Sequence, residues 1–169
     1  YALGCHIWPS IPEGTIGIRP GVLMAALFSF DITITGKGGH GAMPHLCVDA
    51  LDTGCQVVAA LQRIVSRQMD PLQPSVVTVG KFQAGTAFNV IPAEATARLN
   101  VRFNDHWTVA RLQAFLADQV KSAAPGANVE FGFHRSSEWF LTRPGKLVEQ
   151  LSAAISTTTG LTPELSTSG

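Results

Sequence analysis

Two imidazoles, His40 and His45, stand in the run Lys37-Gly38-Gly39-His40-Gly41-Ala42-Met43-Pro44-His45. Gly36, Gly38, Gly39 and Gly41 surround His40, and glycine opens φ > 0 to the backbone while removing side-chain bulk near the ring. Such a flexible collar could present an imidazole to a ligand. A Gly-rich turn carrying an exposed His, followed by a helix-starting Pro-His, would give the same local sequence. The spacing of five with Pro44 between sends the two rings in different directions on a helix, which excludes a zinc pair of the kind built on one helix face. Each histidine would act alone, with His45 better read as a helix-start residue.

Three further residues could serve the same chemistry. His6 falls near the end of a short apolar strand, where open α/β sheets place ligands, although a His there is more often packed or hydrogen-bonded. Asn89 lies in Gly85-Thr86-Ala87-Phe88-Asn89-Val90-Ile91-Pro92, where its amide could donate to an oxyanion or carboxylate, or cap a turn. Arg102 alternates with Val101 and Phe103 and points to the opposite face of its strand, as a solvated sheet residue or a bidentate carboxylate clamp. No Ser or Cys is paired with a His-Asp partner, and no Gly-rich loop has phosphate-binding spacing. The set is one of donors without nucleophile, base or metal cage.

The 169 residues balance 12 Lys and Arg against 12 Asp and Glu, with 46% hydrophobic and 14% charged residues. That composition fits a globular chain with a sizeable core, and gives no footprint for nucleic acid or an anionic membrane surface. No run approaches the ~20 apolar residues of a membrane helix. Cys5, Cys47 and Cys55 form no CxxC pair, so neither a disulfide framework nor a structural zinc cluster is indicated, and a reducing, cytoplasmic setting is expected. The apolar start Tyr-Ala-Leu-Gly-Cys and the end Ser-Thr-Ser-Gly suggest a segment cut from something longer.

Periodicity supplies the elements. Short strands are expected at 1–8 and 15–19. Strict alternation over 27–35, with Phe28, Phe30, Ile32 and Ile34 on one side, marks a half-buried strand leading into the collar. Three- and four-residue steps through Leu51, Cys55, Val58, Leu61 and Val65 mark a helix over 48–68. Strands follow at 75–82, 88–92 and 95–103, and then a helix at 108–122, with Asp105 or Thr108 as its N-cap and Leu112, Leu116 and Val120 on its apolar stripe. A strand is expected at 129–133, a third helix at 147–158 with Leu147, Leu151, Ala154 and Ile155 as its stripe, and a strand at 161–167. The order from 27 to 133 predicts an α+β unit, a four-stranded antiparallel sheet with two helices on one face.

The motifs carry a resemblance. Gly4-Cys5-His6-Ile7-Trp8-Pro9, Gly14-Thr15-Ile16-Gly17-Ile18-Arg19-Pro20-Gly21, the collar 36–45, Ile64-Val65-Ser66-Arg67 and Thr86-Ala87-Phe88-Asn89-Val90-Ile91-Pro92 resemble the amidohydrolase branch of the co-catalytic zinc aminoacylase and carboxypeptidase family, which includes hippurate and indole-acetyl-amino-acid hydrolases. Residues 140–148 and 164–169 look like its succinyl-diaminopimelate desuccinylase branch. The resemblance implies a lid or dimerisation domain over 27–135, flanked at 1–26 and 136–169 by fragments of an α/β zinc-peptidase catalytic domain. It implies a homodimer that hydrolyses the amide bond of N-acyl amino acids with two zinc ions. By the same match His6 is a metal ligand, His40 the lid histidine that stabilises the oxyanion in the partner's site, and Asn89 and Arg102 substrate-binding residues.

The family's other metal ligands and its Glu-Glu pair have no counterpart in this sequence. Alone, the chain is therefore expected to be inactive. The competing expectation is a non-catalytic homodimerisation module with no enzymatic role of its own.

Overall fold

The computed structural model describes residues 3–72, 75–103, 108–137, 140–164 and 166. The chain forms two compact units, one of residues 26–137 and one of residues 1–25 with 138–169.

The first unit is built on two long alternating strands. Strand β2 (Ala26–Thr35) and strand β6 (Glu94–Phe103) pair antiparallel without a break, from Ala26 opposite Phe103 to Thr35 opposite Glu94. Because side chains alternate across a strand, this register puts Phe30, Ile32 and Ile34 on the same face as Ala95, Ala97, Leu99, Val101 and Phe103, all buried. Strand β4 (Val76–Ala84) adds outside β6, and β7 (Asn128–Ser137) adds outside β2, giving the order β4-β6-β2-β7 with every pair antiparallel. The edge strands β4 and β7 each carry one register irregularity.

Two helices cover one face. Helix α1 (Ala50–Gln68) starts at Asp49, whose Oδ1 accepts from the N–H groups of Leu51 (2.8 Å) and Asp52 (3.1 Å), satisfying donors that have no partner inside the helix. Helix α2 (Val109–Ala123) starts at Thr108, whose hydroxyl accepts from Arg111 N–H at 3.2 Å. Asp105, the other cap considered, lies outside the described residues. Leu112, Leu116 and Val120 are buried as the spacing predicts, in one core with Val57, Leu61, Ile64 and the sheet's inner face.

The buried stripe of α1 differs from the one read from the sequence. Its buried residues are Ala50, Thr53, Gly54, Val57, Leu61 and Ile64. Of the expected set only Leu61 is buried; Leu51, Cys55 and Val65 are exposed and Val58 is half-buried. The helix carries two apolar stripes, and the small residues decide between them. Thr53 and Gly54 let the sheet approach so closely that a Cβ on Gly54 would stand 2.7 Å from the Phe82 ring.

In the second unit, β1 (Gly21–Met24) pairs antiparallel with β8 (Phe140–Thr142), two strands that the sequence pattern does not announce. Helix α3 (Lys146–Thr159) ends on Gly160, whose φ of 73° is the left-handed conformation glycine takes without strain. Of its expected stripe, Leu147, Leu151 and Ile155 are half-buried and Ala154 is exposed. The strands expected at 1–8, 15–19 and 161–167 do not form among the described residues. A single parallel bridge joins Gly17 to Glu164 instead, with Ile18 N–H donating to Glu164 O (2.8 Å) and Glu164 N–H to Ile16 O (2.9 Å). An extended run becomes a strand only where a neighbour pairs along its length.

The sheet's outer face is polar and holds a cross-strand ion cluster. Asp31 on β2 accepts Arg98 Nε at 2.7 Å and Nη2 at 2.8 Å, a bidentate pair with the opposing residue of β6. From β7, His134 Nε2 lies 2.7 Å from the same carboxylate. The hydrogen bonds from Arg98, with His134 adding to them and burial opposing, hold the Asp31 carboxyl well below its usual range. A carboxylate so lowered stabilises the fold at pH values above its unfolded pKa, and that contribution fades as pH falls below about 4. Thermal melts from pH 7 to pH 2 should therefore show a smaller acid loss for Asp31→Asn than for the unaltered chain. Equal slopes would mean the cluster contributes nothing to folding.

Candidate functional site

The collar is a set of short backbone pairings, which corrects the expectation of a flexible loop. Gly36 N–H donates to Ala93 O at 2.8 Å, and Lys37 and Val48 exchange N–H···O bonds at 2.9 and 2.8 Å. Strand β3 (Gly39–His40) pairs antiparallel with β5 (Val90–Ile91), placing His40 opposite Val90. Gly41 N–H then donates to Asn89 O at 2.8 Å. A short 3-10 turn, Pro44–Leu46, leads on to α1 and contains His45, as a helix-start residue should.

The glycines serve this pairing through their lack of a Cβ. None of Gly36, Gly38, Gly39 and Gly41 has positive φ. A Cβ on Gly36 would stand 2.1 Å from Val48 O, one on Gly38 2.7 Å from Ile91 O, and one on Gly41 2.9 Å from Asn89 O. Each contact is with backbone, which cannot rotate aside as a side chain can.

His40 and Asn89 thereby lie on two paired segments, both exposed, with His40 opposite Val90 and Gly41 bonded to Asn89 O. Phe88 is fully exposed, and Met43, Leu46 and Val90 are about half exposed. Alongside opens a broad concavity of about 1170 Å³, lined among others by Gly39, Leu51, Phe82, Thr86, Val90 and Glu94.

Arg102 is not part of this end. It lies one residue before the last residue of β6, whereas Asn89 precedes the strand's first residue, Glu94. Eight strand residues at about 3.3 Å each separate Arg102 from Glu94 by roughly 25 Å. Its Nε donates to Asn100 Oδ1 at 3.3 Å on the polar face, the face that strand alternation assigned to it. His6 belongs to the other unit. Its Nδ1 lies 2.6 Å from Ile7 O, and its ring meets Trp8 edge-on at 5.3 Å.

One feature escaped the sequence. Asp31, Arg98 and His134 come from three strands, and only the pairing register makes them neighbours. The turn beginning at His40, in which Met43 N–H donates to His40 O at 2.8 Å, is the Gly-rich turn with an exposed His that the sequence also offered.

Residues 26–128 match the family described as the M20 peptidase dimerisation domain. The chain belongs to that family. It is 47% identical over 133 residues to an N-acyl-L-amino acid amidohydrolase of Geobacillus stearothermophilus, covering 78% of this chain and 36% of that protein. It is 39% identical over 146 residues to a succinyl-diaminopimelate desuccinylase of Acidiphilium cryptum, covering 83% and 38%. Among solved structures, the YXEP protein of Bacillus subtilis, a dinuclear metal binding peptidase from the M20 family, superposes with a TM-score of 0.65 at 26% identity, over 97% of this chain and 41% of that one. This dimerisation-domain chain thus spans little more than a third of the length of the curated relatives it matches.

The close approach of the collar strands is directly testable. Gly38→Ala should cost about 1–3 kcal/mol in urea unfolding, because its Cβ meets backbone on the facing segment. Gly80→Ala, on β4 with nothing within 4 Å of the added Cβ, should be neutral or slightly stabilising. Equal costs would contradict the packing role.

Proposed function

We propose that this chain is the dimerisation lid, with flanking catalytic-domain fragments at 1–26 and 136–169, of a homodimeric, metal-dependent amidohydrolase that cleaves N-acyl amino acids. The observation that carries the reading is the separation within one lid. His40 and Asn89 share one end of the sheet, while Arg102 stands roughly 25 Å away at the other. A small N-acyl amino acid cannot touch both ends of one subunit. A second copy, supplying the collar to the Arg102 end of its neighbour, removes that obstacle.

In this reading each residue does one task. Arg102 clamps the substrate carboxylate, a planar anion that suits a guanidinium fork. His40 and Asn89 donate hydrogen bonds to the scissile carbonyl oxygen as negative charge develops on it. His6 fits a metal ligand: the Ile7 carbonyl can only accept, so Nδ1 carries the proton and the Nε2 lone pair is left for a cation. A zinc pair, when bound, would supply Lewis-acid polarisation of the carbonyl and an activated water. No group of three or more His, Cys, Asp or Glu stands together among the described residues. The remaining ligands and the general base are therefore assigned to the rest of the longer protein.

The homodimer reading draws on the stripe of α1 that the core leaves out. Leu51, Cys55 and Val65 are exposed along that helix, and Val76 is exposed on the neighbouring edge strand β4. Exposed apolar residues beside an unpaired strand edge suit association with a second copy. The cysteines are free thiols, which agrees with a reducing, cytoplasmic location. No helix among the described residues is long and apolar enough to cross a membrane.

Within the full-length protein, His40→Ala should lower kcat by about a hundredfold or more and leave bound metal unchanged. Loss of metal in that variant would make His40 a ligand instead. Val65→Asp combined with Val76→Asp should convert the dimer to a folded monomer in light scattering. An unchanged mass would move the interface elsewhere.

A further inference from the structure

We infer that the turn beginning at His40 fixes which ring nitrogen of that histidine carries the proton, presenting His40 outward as an Nε2–H donor. This deepens the proposed role of His40, since it names the donating atom and the group that selects it.

The turn has two hydrogen bonds made by one residue. Met43 N–H donates to His40 O at 2.8 Å, closing a four-residue β-turn. Ala42 N–H donates to His40 Nδ1 at 3.1 Å. Side chains of Asp and Asn commonly accept from the backbone two residues on in this way. Here an imidazole takes that place, and the consequence is chemical as well as structural. A backbone N–H can only donate, so Nδ1 must offer its lone pair, and a neutral ring then holds its single proton on Nε2. The ring is thereby both oriented and restricted to one tautomer.

The surroundings keep the turn in this form. Gly41, inside it, donates to Asn89 O at 2.8 Å and has no room for a Cβ against that same carbonyl. After it, Leu46 N–H donates to Met43 O at 3.2 Å, and Cys47 Sγ lies 3.5 Å from Met43 O. Backbone on both sides thus fixes the Ala42 N–H against Nδ1. An Nε2–H group suits donation to an oxyanion, whereas a metal ligand or a proton acceptor at Nε2 would need the opposite tautomer.

The test is nuclear magnetic resonance on the 15N-labelled 169-residue chain near pH 8.5, above the ordinary imidazole range. His40 should show a pyridine-like Nδ1 and a pyrrole-like Nε2, with a scalar coupling across the hydrogen bond between Ala42 N and His40 Nδ1. A pyrrole-like Nδ1, or a tautomer mixture without coupling, would overturn the inference. Variants give a second reading. His40→Asn keeps an acceptor where Nδ1 stood and should preserve slow exchange of the Ala42 amide. His40→Ala removes it and should speed that exchange by about tenfold or more in a chain whose other amides are unchanged. Equal exchange in both variants would also overturn it. Because none of these measurements involves turnover, the tautomer and the catalytic role of His40 can fail independently.

Discussion

Close backbone approach between residues 36–48 and 89–93 is the constraint on which the rest of the site depends. Gly38 and Gly41 each stand where a Cβ would strike a carbonyl oxygen of the facing segment, and Gly36 where one would strike Val48 O at the far end of its own. Only at that distance can Gly36 reach Ala93, β3 reach β5, and Gly41 reach Asn89. The same pairing continues into the sheet, because Asn89 to Pro92 lead directly into β6, one of the two inner strands, which buries Leu99, Val101 and Phe103. The exposed His40 is therefore stitched to the most buried part of the unit through a few peptide groups.

On the proposed reading, that rigidity bears on how the two ends of the sheet divide the work. His40 and Asn89 are held on paired backbone at one end, and Arg102 is held within an uninterrupted strand pair at the other. Neither can swing across the sheet to the other. In the proposed function a substrate that needs both is gripped by two copies, which meet on the exposed apolar stripe of α1. Preorganised donors of this kind cost little reorganisation when charge develops in a transition state. The two histidines of the reading also differ in the way their tasks demand: the carbonyl of Ile7 faces Nδ1 of His6, whereas the N–H of Ala42 faces Nδ1 of His40.

Much of this fold could be read from alternation alone. The pattern of Phe28 through Ile34 and of Ala95 through Phe103 located β2 and β6 within a residue or two, and Thr108 marked the start of α2. The buried face of α1 could not be read so, because two apolar stripes compete on that helix and only the fit of Phe82 over Gly54 selects one. Short strands such as β1, β3 and β8 owe their existence to partners far along the chain, which no local period reports. The candidate residues were visible as types, His40 and Asn89 beside turns and Arg102 within a strand, but their grouping was not. Strand register paired the segment of His40 with that of Asn89, separated both from Arg102, and assembled Asp31, Arg98 and His134.

The central claim, that the collar of one subunit serves the Arg102 end of another, can be measured by complementation in the full-length protein. A His40→Ala subunit and an Arg102→Ala subunit, each inactive as its own homodimer, would be mixed and allowed to exchange. If the site is shared, each mixed dimer regains one intact site, and random pairing should restore about a quarter of the unaltered activity. Activity that stays at the level of the two separate variants would show that both residues act within one subunit and would contradict the account.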